Sequence, residues 1–191
     1  GPREAYPILI KGLKRLEYRG YDSAGVALLN TTLNIYKTKG KVSDLENISK
    51  EITINGTIGM GHTRWATHGE PNDINSHPHL SQDGELAIIH NGIIENYKIL
   101  AEKLAKAGYT FYGQTDSEVL ANLIEYCLKS THDIKKAILL ALSQVTGTYG
   151  LAIVAPSDPG HLYAVRRGSP LMISTIENGI MVASDPHAFP E

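Results

Sequence analysis

Apolar residues fall at helical spacing in several stretches of the chain and at strand spacing in the others, with Gly, Asn and Pro marking the joints. Residues 4–18 place Leu9, Ile10, Leu13 and Leu16 on one face, with Pro7 in the opening turn and Gly20 positioned to end the segment, which predicts an amphipathic helix. Two β-type runs, 25–29 (GVALL) and 33–37 (LNIYK), are joined across Asn30-Thr31-Thr32 and read as an antiparallel hairpin. A short helix is expected over 43–49, where Ser43 and Glu46 have capping-box spacing. Residues 57–60 (TIGM) read as a short buried strand. Residues 86–90 (LAIIH) read as another, ending in a tight turn at Asn91-Gly92, a pair that favours left-handed backbone.

Residues 96–107 predict a helix closed by Gly108, and Thr115 with Glu118 offers a capping box to the next one. That helix carries Val119, Leu120, Leu123, Ile124, Cys127 and Leu128 on one apolar face. Ile134, Ala137, Ile138, Ala141, Leu142 and Val145 repeat the pattern, so two consecutive helices are able to pack as a layer. The C-terminal third reads as strand and turn: 149–155, 161–166, 171–174 and 180–183, with turns at 156–160 and at Asn178-Gly179. Helices segregated from hairpin-linked strands predict an α+β fold with largely antiparallel sheets. Ser184-Asp185-Pro186 looks like the start of a further element, so truncation at the C-terminus is expected.

Composition narrows the partners. The 191 residues suit a single domain spanning 1–191, and 42% hydrophobic with 20% charged is ordinary for a globular protein. Eighteen basic against twenty acidic residues leave a net charge of −2 with no basic cluster, which argues against nucleic acid and anionic lipid and for small molecules or protein. No apolar run approaches a membrane span, and Gly1-Pro2-Arg3-Glu4 resembles neither a signal nor a transit peptide. A single cysteine excludes an internal disulfide and fits a reducing compartment, so a cytoplasmic location is expected.

Candidate chemistry concentrates in residues 61–70 (GHTRWATHGE), where His62, Thr63 and Arg64 are expected to emerge from the strand end into a loop. The Arg64 guanidinium is a planar fork suited to a carboxylate or phosphate, and Trp65 beside it is placed to cover a ligand. The alternative is that Arg64 pairs with a neighbouring Asp and Trp65 plugs the core. A metal is the weaker reading of the eight histidines, because the His77-Pro78-His79 pair is split by proline inside a loop. No G-x-S-x-G elbow, phosphate loop or dinucleotide fingerprint occurs, and Cys127 lies on an apolar helix face, where a thiol acts as a small hydrophobe.

Four runs carry a resemblance: 15–25 (RLEYRGYDSAG), 61–70 (GHTRWATHGE), 90–96 (HNGIIEN) and 115–118 (TDSE). Together they resemble the glutaminase domain of the glutamine:fructose-6-phosphate aminotransferase (isomerizing) family, over nearly the whole chain. Other class II glutamine amidotransferases share the Arg-Gly and Asn-Gly elements but differ around the first two runs. The resemblance implies an N-terminal nucleophile hydrolase with an αββα four-layer sandwich. It also implies glutamine hydrolysis without a cofactor or metal, releasing glutamate and the ammonia that aminates fructose 6-phosphate to glucosamine 6-phosphate.

By residue, the resemblance gives Asn91 and Gly92 as the oxyanion hole, Arg19 as support for the nucleophile's surroundings, and Arg64 as the binder of the glutamine α-carboxylate. Thr67 and His68 stand beside Arg64, Asp116 accepts the α-ammonium, and Trp65 belongs to a loop that closes on the substrate. The family's nucleophile is an N-terminal cysteine heading a short strand, and Gly1 cannot take that role. The chain is therefore expected to lack that strand, to be inactive as written, and to lack the C-terminal sugar-phosphate isomerase domains that are its partners in a homo-oligomeric full-length enzyme. A non-catalytic glutamine-binding module remains the alternative, with a metal-dependent hydrolase behind it.

Overall fold

The computed structural model describes residues 2–50, 52–65, 70, 72 and 74–190. Helix α1 (Ala5–Leu16) buries Ile10, Leu13 and Leu16 and carries Lys14 and Arg15 in its last turn, where cations complement the helix dipole. A 3₁₀ turn (Glu17–Arg19) follows and stops at Gly20, whose φ of 89° is outside the helical range. Strands β1 (Ser23–Leu29) and β2 (Leu33–Lys39) form the expected hairpin, in register from Leu29 opposite Leu33 to Ser23 opposite Lys39. Helix α2 (Val42–Ser49) starts earlier than the Ser43/Glu46 spacing suggested. Its N-terminus is instead held by Asp44, which accepts the Lys41 N–H at 2.8 Å, and by Glu17, which accepts the Val42 N–H at 2.8 Å.

Strand β3 (Ile58–Arg64) is longer than the expected 57–60, because its whole length pairs antiparallel with β1, as far as Arg64 opposite Ser23. Pairing with a neighbour, which no local pattern reports, carries the strand through its polar end. Strands β4 (His79–Leu80) and β5 (Ala87–Ile94) follow, and β5 likewise runs on past the expected end. Asn91 pairs with Gly150 and Gly92 with Tyr149, so Asn-Gly lies within a strand and not at a turn.

Helices α3 (Tyr97–Lys106), α4 (Asp116–Thr131) and α5 (Ile134–Leu142) fall close to expectation. Thr115 caps α4 by accepting the Glu118 N–H at 3.2 Å, while the Glu118 carboxylate takes the Tyr112 and Gly113 N–H groups. Strands β6 (Gly147–Val154), β7 (Tyr163–Arg167), β8 (Met172–Ile176) and β9 (Gly179–Ala183) complete the chain, ending in a 3₁₀ turn (Pro186–Ala188) capped by Asp185.

Among the described residues the strands form sheets ordered β2-β1-β3 and β4-β5-β6-β7, with β8-β9 as a separate ribbon. Alternation along each strand sets the layers. On β1, Ala24, Val26 and Leu28 meet α1 and α2, whereas Ala27 and Leu29 meet Met60, Ala87, Ala152 and Val154 between the sheets. On the second sheet Ile88, Leu151 and Ile153 turn outward into the core made by α3, α4 and α5. The result is the αββα four-layer arrangement, an α+β fold with antiparallel sheets.

Candidate functional site

The interlayer is apolar through most of its length and polar at one end. Met60, His62 and Arg64 occupy one face of β3 and are all buried, at 2%, 8% and 4% exposed. Opposite them on β5, Ala87 and Ile89 belong to the apolar interlayer and Asn91 is the next residue on the same face. Both strands thus pass from core to site by the same two-residue step. The pocket at this end has a volume of about 370 Å³ and is lined by Arg19, Arg64, Trp65, Asn91, Gly92 and Asp116, among others. Residues far apart in the chain therefore meet at one pocket. Thr67 and His68 lie outside the described residues.

Arg64 donates to the Glu70 carbonyl at 3.3 Å, and its guanidinium stands 3.9 Å from Asp22. It combines the two sequence alternatives, lying near an aspartate and lining the pocket. Trp65 is 67% exposed and is no core plug; its indole lies against Gly20, where an added Cβ would sit 2.4 Å from the ring. Asp116 is the first residue of α4, where the helix dipole favours a carboxylate, and Oδ2 accepts the Ile94 N–H at 2.8 Å. Gly92 has φ of 128°, and a Cβ there would meet the Thr148 carbonyl oxygen at 2.3 Å, so only glycine lets β5 pass at this point. Arg19 is held by Ser184 Oγ at 3.4 Å and Asp185 at 3.7 Å.

Behind these residues stands a layer of buried histidines. His62 Nε2 lies 2.6 Å from Asn91 Oδ1, and the His62 ring stacks on His77 with centroids 4.3 Å apart. His77 Nε2 and His90 Nδ1 both reach the Ser117 hydroxyl at 2.9 Å. Thr115 Oγ1 already accepts from Glu118, so its own hydrogen is free to donate to His79 Nε2 at 2.9 Å. Burial pushes His62 down to about 4 and holds His77 and His79 well below the usual imidazole range, so all three are neutral at pH 7. The Nε2 atoms of all three are engaged, with an amide at His62 and hydroxyls at His77 and His79, and no group of metal-ligating side chains converges among the described residues. From the sequence, His62 belongs to the polar run 61–70 and the histidines read as surface or loop-packing groups ahead of metal ligands; their burial as one layer is not visible there. The signal for His62 was the two-residue step from Met60 through His62 to Arg64.

A second groove, of about 440 Å³, opens from the same site and shares Arg19, His62 and Asn91 with it. One side is residues 57–63, which include most of β3, and the other is residues 179–184, which include β9, with α1 alongside. In the sheet order β3 is an edge, so its outer backbone groups face this groove. Cys127 is remote from both, buried in the helical core, where burial raises its thiol pKa.

Comparison with known proteins identifies the class to which the chain belongs. The sequence profile of the glutamine amidotransferase domain family matches residues 62–191, and the chain belongs to that family. Glutamine–fructose-6-phosphate aminotransferase [isomerizing] of Bacteroides thetaiotaomicron is 57% identical over 189 residues, covering 97% of this chain and 31% of the relative. The protein of the same name from Clostridium acetobutylicum is 49% identical over 186 residues, covering 97% of this chain and 30% of that one. The chain thus spans about a third of the length of the curated relatives it matches. Among solved structures, the glutamine phosphoribosylpyrophosphate amidotransferase from B. subtilis complexed with ADP and GMP superposes with a TM-score of 0.85 at 29% identity, over 99% of this chain and 41% of that one. The fold is of the N-terminal nucleophile amidotransferase type.

Proposed function

We propose that this chain is the glutamine-hydrolysing part of an enzyme that aminates fructose 6-phosphate, acting with sugar-phosphate isomerase domains of a longer, homo-oligomeric cytoplasmic protein. The observation that carries the reading is the convergence of Arg64, Asp116, Asn91 and Gly92 on one pocket. Glutamine offers a carboxylate, an ammonium and a carboxamide. Arg64 meets the first with a planar fork and Asp116 the second with a negative charge. Trp65, at the mouth, closes over the bound substrate. No helix of the described residues is long and apolar enough to cross a membrane.

The amide end lies toward Asn91 and Gly92. A thiolate attacking the carboxamide carbon moves an electron pair onto oxygen, and the Asn91 side-chain N–H with the Gly92 backbone N–H stabilises that oxyanion. The α-amino group of the attacking cysteine, having taken the thiol proton, returns it to the departing nitrogen, so that collapse expels ammonia and leaves a thioester, which water converts to glutamate. The thiol is supplied by a cysteine heading an extended segment seated in the groove beside β3, where unpaired backbone and shared lining with the pocket support a strand. Arg19, at the junction of groove and pocket, borders that nucleophile. The chain's own thiol, Cys127, is packed in the helical layer away from both groove and pocket, so it is not the thiol that attacks glutamine.

Titration calorimetry tests the recognition half. Glutamine and glutamate bind the chain, and Arg64→Lys weakens both by about 1–3 kcal/mol through loss of the fork. Equal affinity of parent and Arg64→Lys would remove the carboxylate assignment.

A further inference from the structure

We infer that His62 is a positioning residue for Asn91: its Nε2–H holds the amide oxygen, so that the amide nitrogen is the end presented to the pocket. The inference rests on the glutamine reading of that pocket and adds the device that orients its side-chain donor.

His62 Nε2 and Asn91 Oδ1 lie 2.6 Å apart. An amide oxygen only accepts, so the imidazole must donate, and its proton sits on Nε2. If the proton moved to Nδ1, two acceptors would face each other at hydrogen-bond distance and the amide would have to rotate. Its oxygen would then point into the pocket, toward the place where negative charge develops, and the donor would be lost. The tautomer of His62 therefore decides which end of Asn91 the substrate meets.

The surroundings favour the productive tautomer. His62 Nδ1 is buried and has no hydrogen-bond partner among the described residues, so a proton there would be an unpaired interior N–H. The doubly protonated ring is also disfavoured, since burial and the positive neighbours Arg19 and Arg64, with His90, all oppose a charge on it. Stacking on His77, itself anchored through Ser117 to the first turn of α4, fixes the ring plane. No step of glutamine cleavage requires His62 to touch substrate, so its effect passes through Asn91.

The test uses the natural full-length protein, with ¹⁵N-histidine spectra and glutamate-release kinetics. Near neutral pH the His62 resonances should show a protonated Nε2 and an unprotonated Nδ1, assigned by their loss in His62→Gln. His62→Leu should lower kcat by about 10²-fold with little change in KM, since the orientation serves the transition state. His62→Gln, whose amide N–H reaches toward the same oxygen, should recover most of that loss. In an Asn91→Ala background His62→Leu should cost nothing more, because the two residues act as one unit.

A protonated Nδ1, an unchanged kcat in folded His62→Leu, or additive losses in the double variant would each overturn the inference. Additive losses would mark a packing role alone. If the parent releases no glutamate, the glutamine reading fails instead, and the His62 spectrum still decides whether the ring holds the Asn91 oxygen. Should His62→Leu fail to fold, His62→Gln and the spectrum carry the decision.

Discussion

The Ile94 backbone N–H donates to Asp116 Oδ2 at 2.8 Å, tying β5 to the first turn of α4 beside the pocket. This one carboxylate thus serves the fold and, in the proposed reading, the substrate ammonium, and two substitutions separate the roles. Asp116→Ala leaves a buried N–H unpaired and should cost about 1–3 kcal/mol in urea denaturation. Asp116→Asn keeps an acceptor for Ile94 and should retain most of the stability, yet lose glutamine affinity with the charge. Calorimetry showing Asp116→Asn binding as tightly as the parent would dismiss the ammonium assignment.

Gly92 shows how strongly the backbone at the site is constrained. With φ of 128° and 2.3 Å between an added Cβ and the Thr148 oxygen, Gly92→Ala must shift β5 away from β6. The expected cost is on the order of 1–3 kcal/mol or more, read as a lowered Tm. An unchanged Tm would mean that the strand passes this point differently.

The buried histidines should make the protein acid-sensitive in a defined window. The folded pKa of His62 is about 4 against 6.5 for an exposed imidazole, so below pH 6.5 the unfolded chain binds a proton that the folded chain does not. Stability is flat with respect to this group above pH 6.5 and falls as pH drops toward 4, by on the order of 3 kcal/mol. His77 and His79, depressed in the same direction by burial, steepen the fall. Asp185, lowered to about 2 by its hydrogen bond from Tyr18, loses its contribution only at lower pH. Denaturant midpoints across pH 7 to 4 should therefore decline, less steeply in His62→Gln; a flat profile would show that these rings are open to solvent.

The helices and hairpins could be read from the sequence because their signals are local. Caps such as Thr115, and apolar faces such as Val119 to Leu128, act within one element. The ends of β3 and β5 escaped that reading because His62-Thr63-Arg64 and Asn91-Gly92 look like loop chemistry until their partners on β1 and β6 are known. The site divides the same way. Arg64, Asn91, Gly92, Asp116 and Arg19 could be named from motifs, and they do meet in one pocket. The bond from His62 to Asn91 joins two different sheets, and nothing in either segment alone specifies how those sheets face each other.

The most direct test of the account is glutamate release by the natural full-length protein, compared between parent and Asn91→Ala. The parent should hydrolyse glutamine, and removing the side-chain donor should lower kcat by about 10²–10³ while KM changes little. A parent that binds glutamine but never releases glutamate, or an Asn91→Ala variant with undiminished kcat, would contradict it.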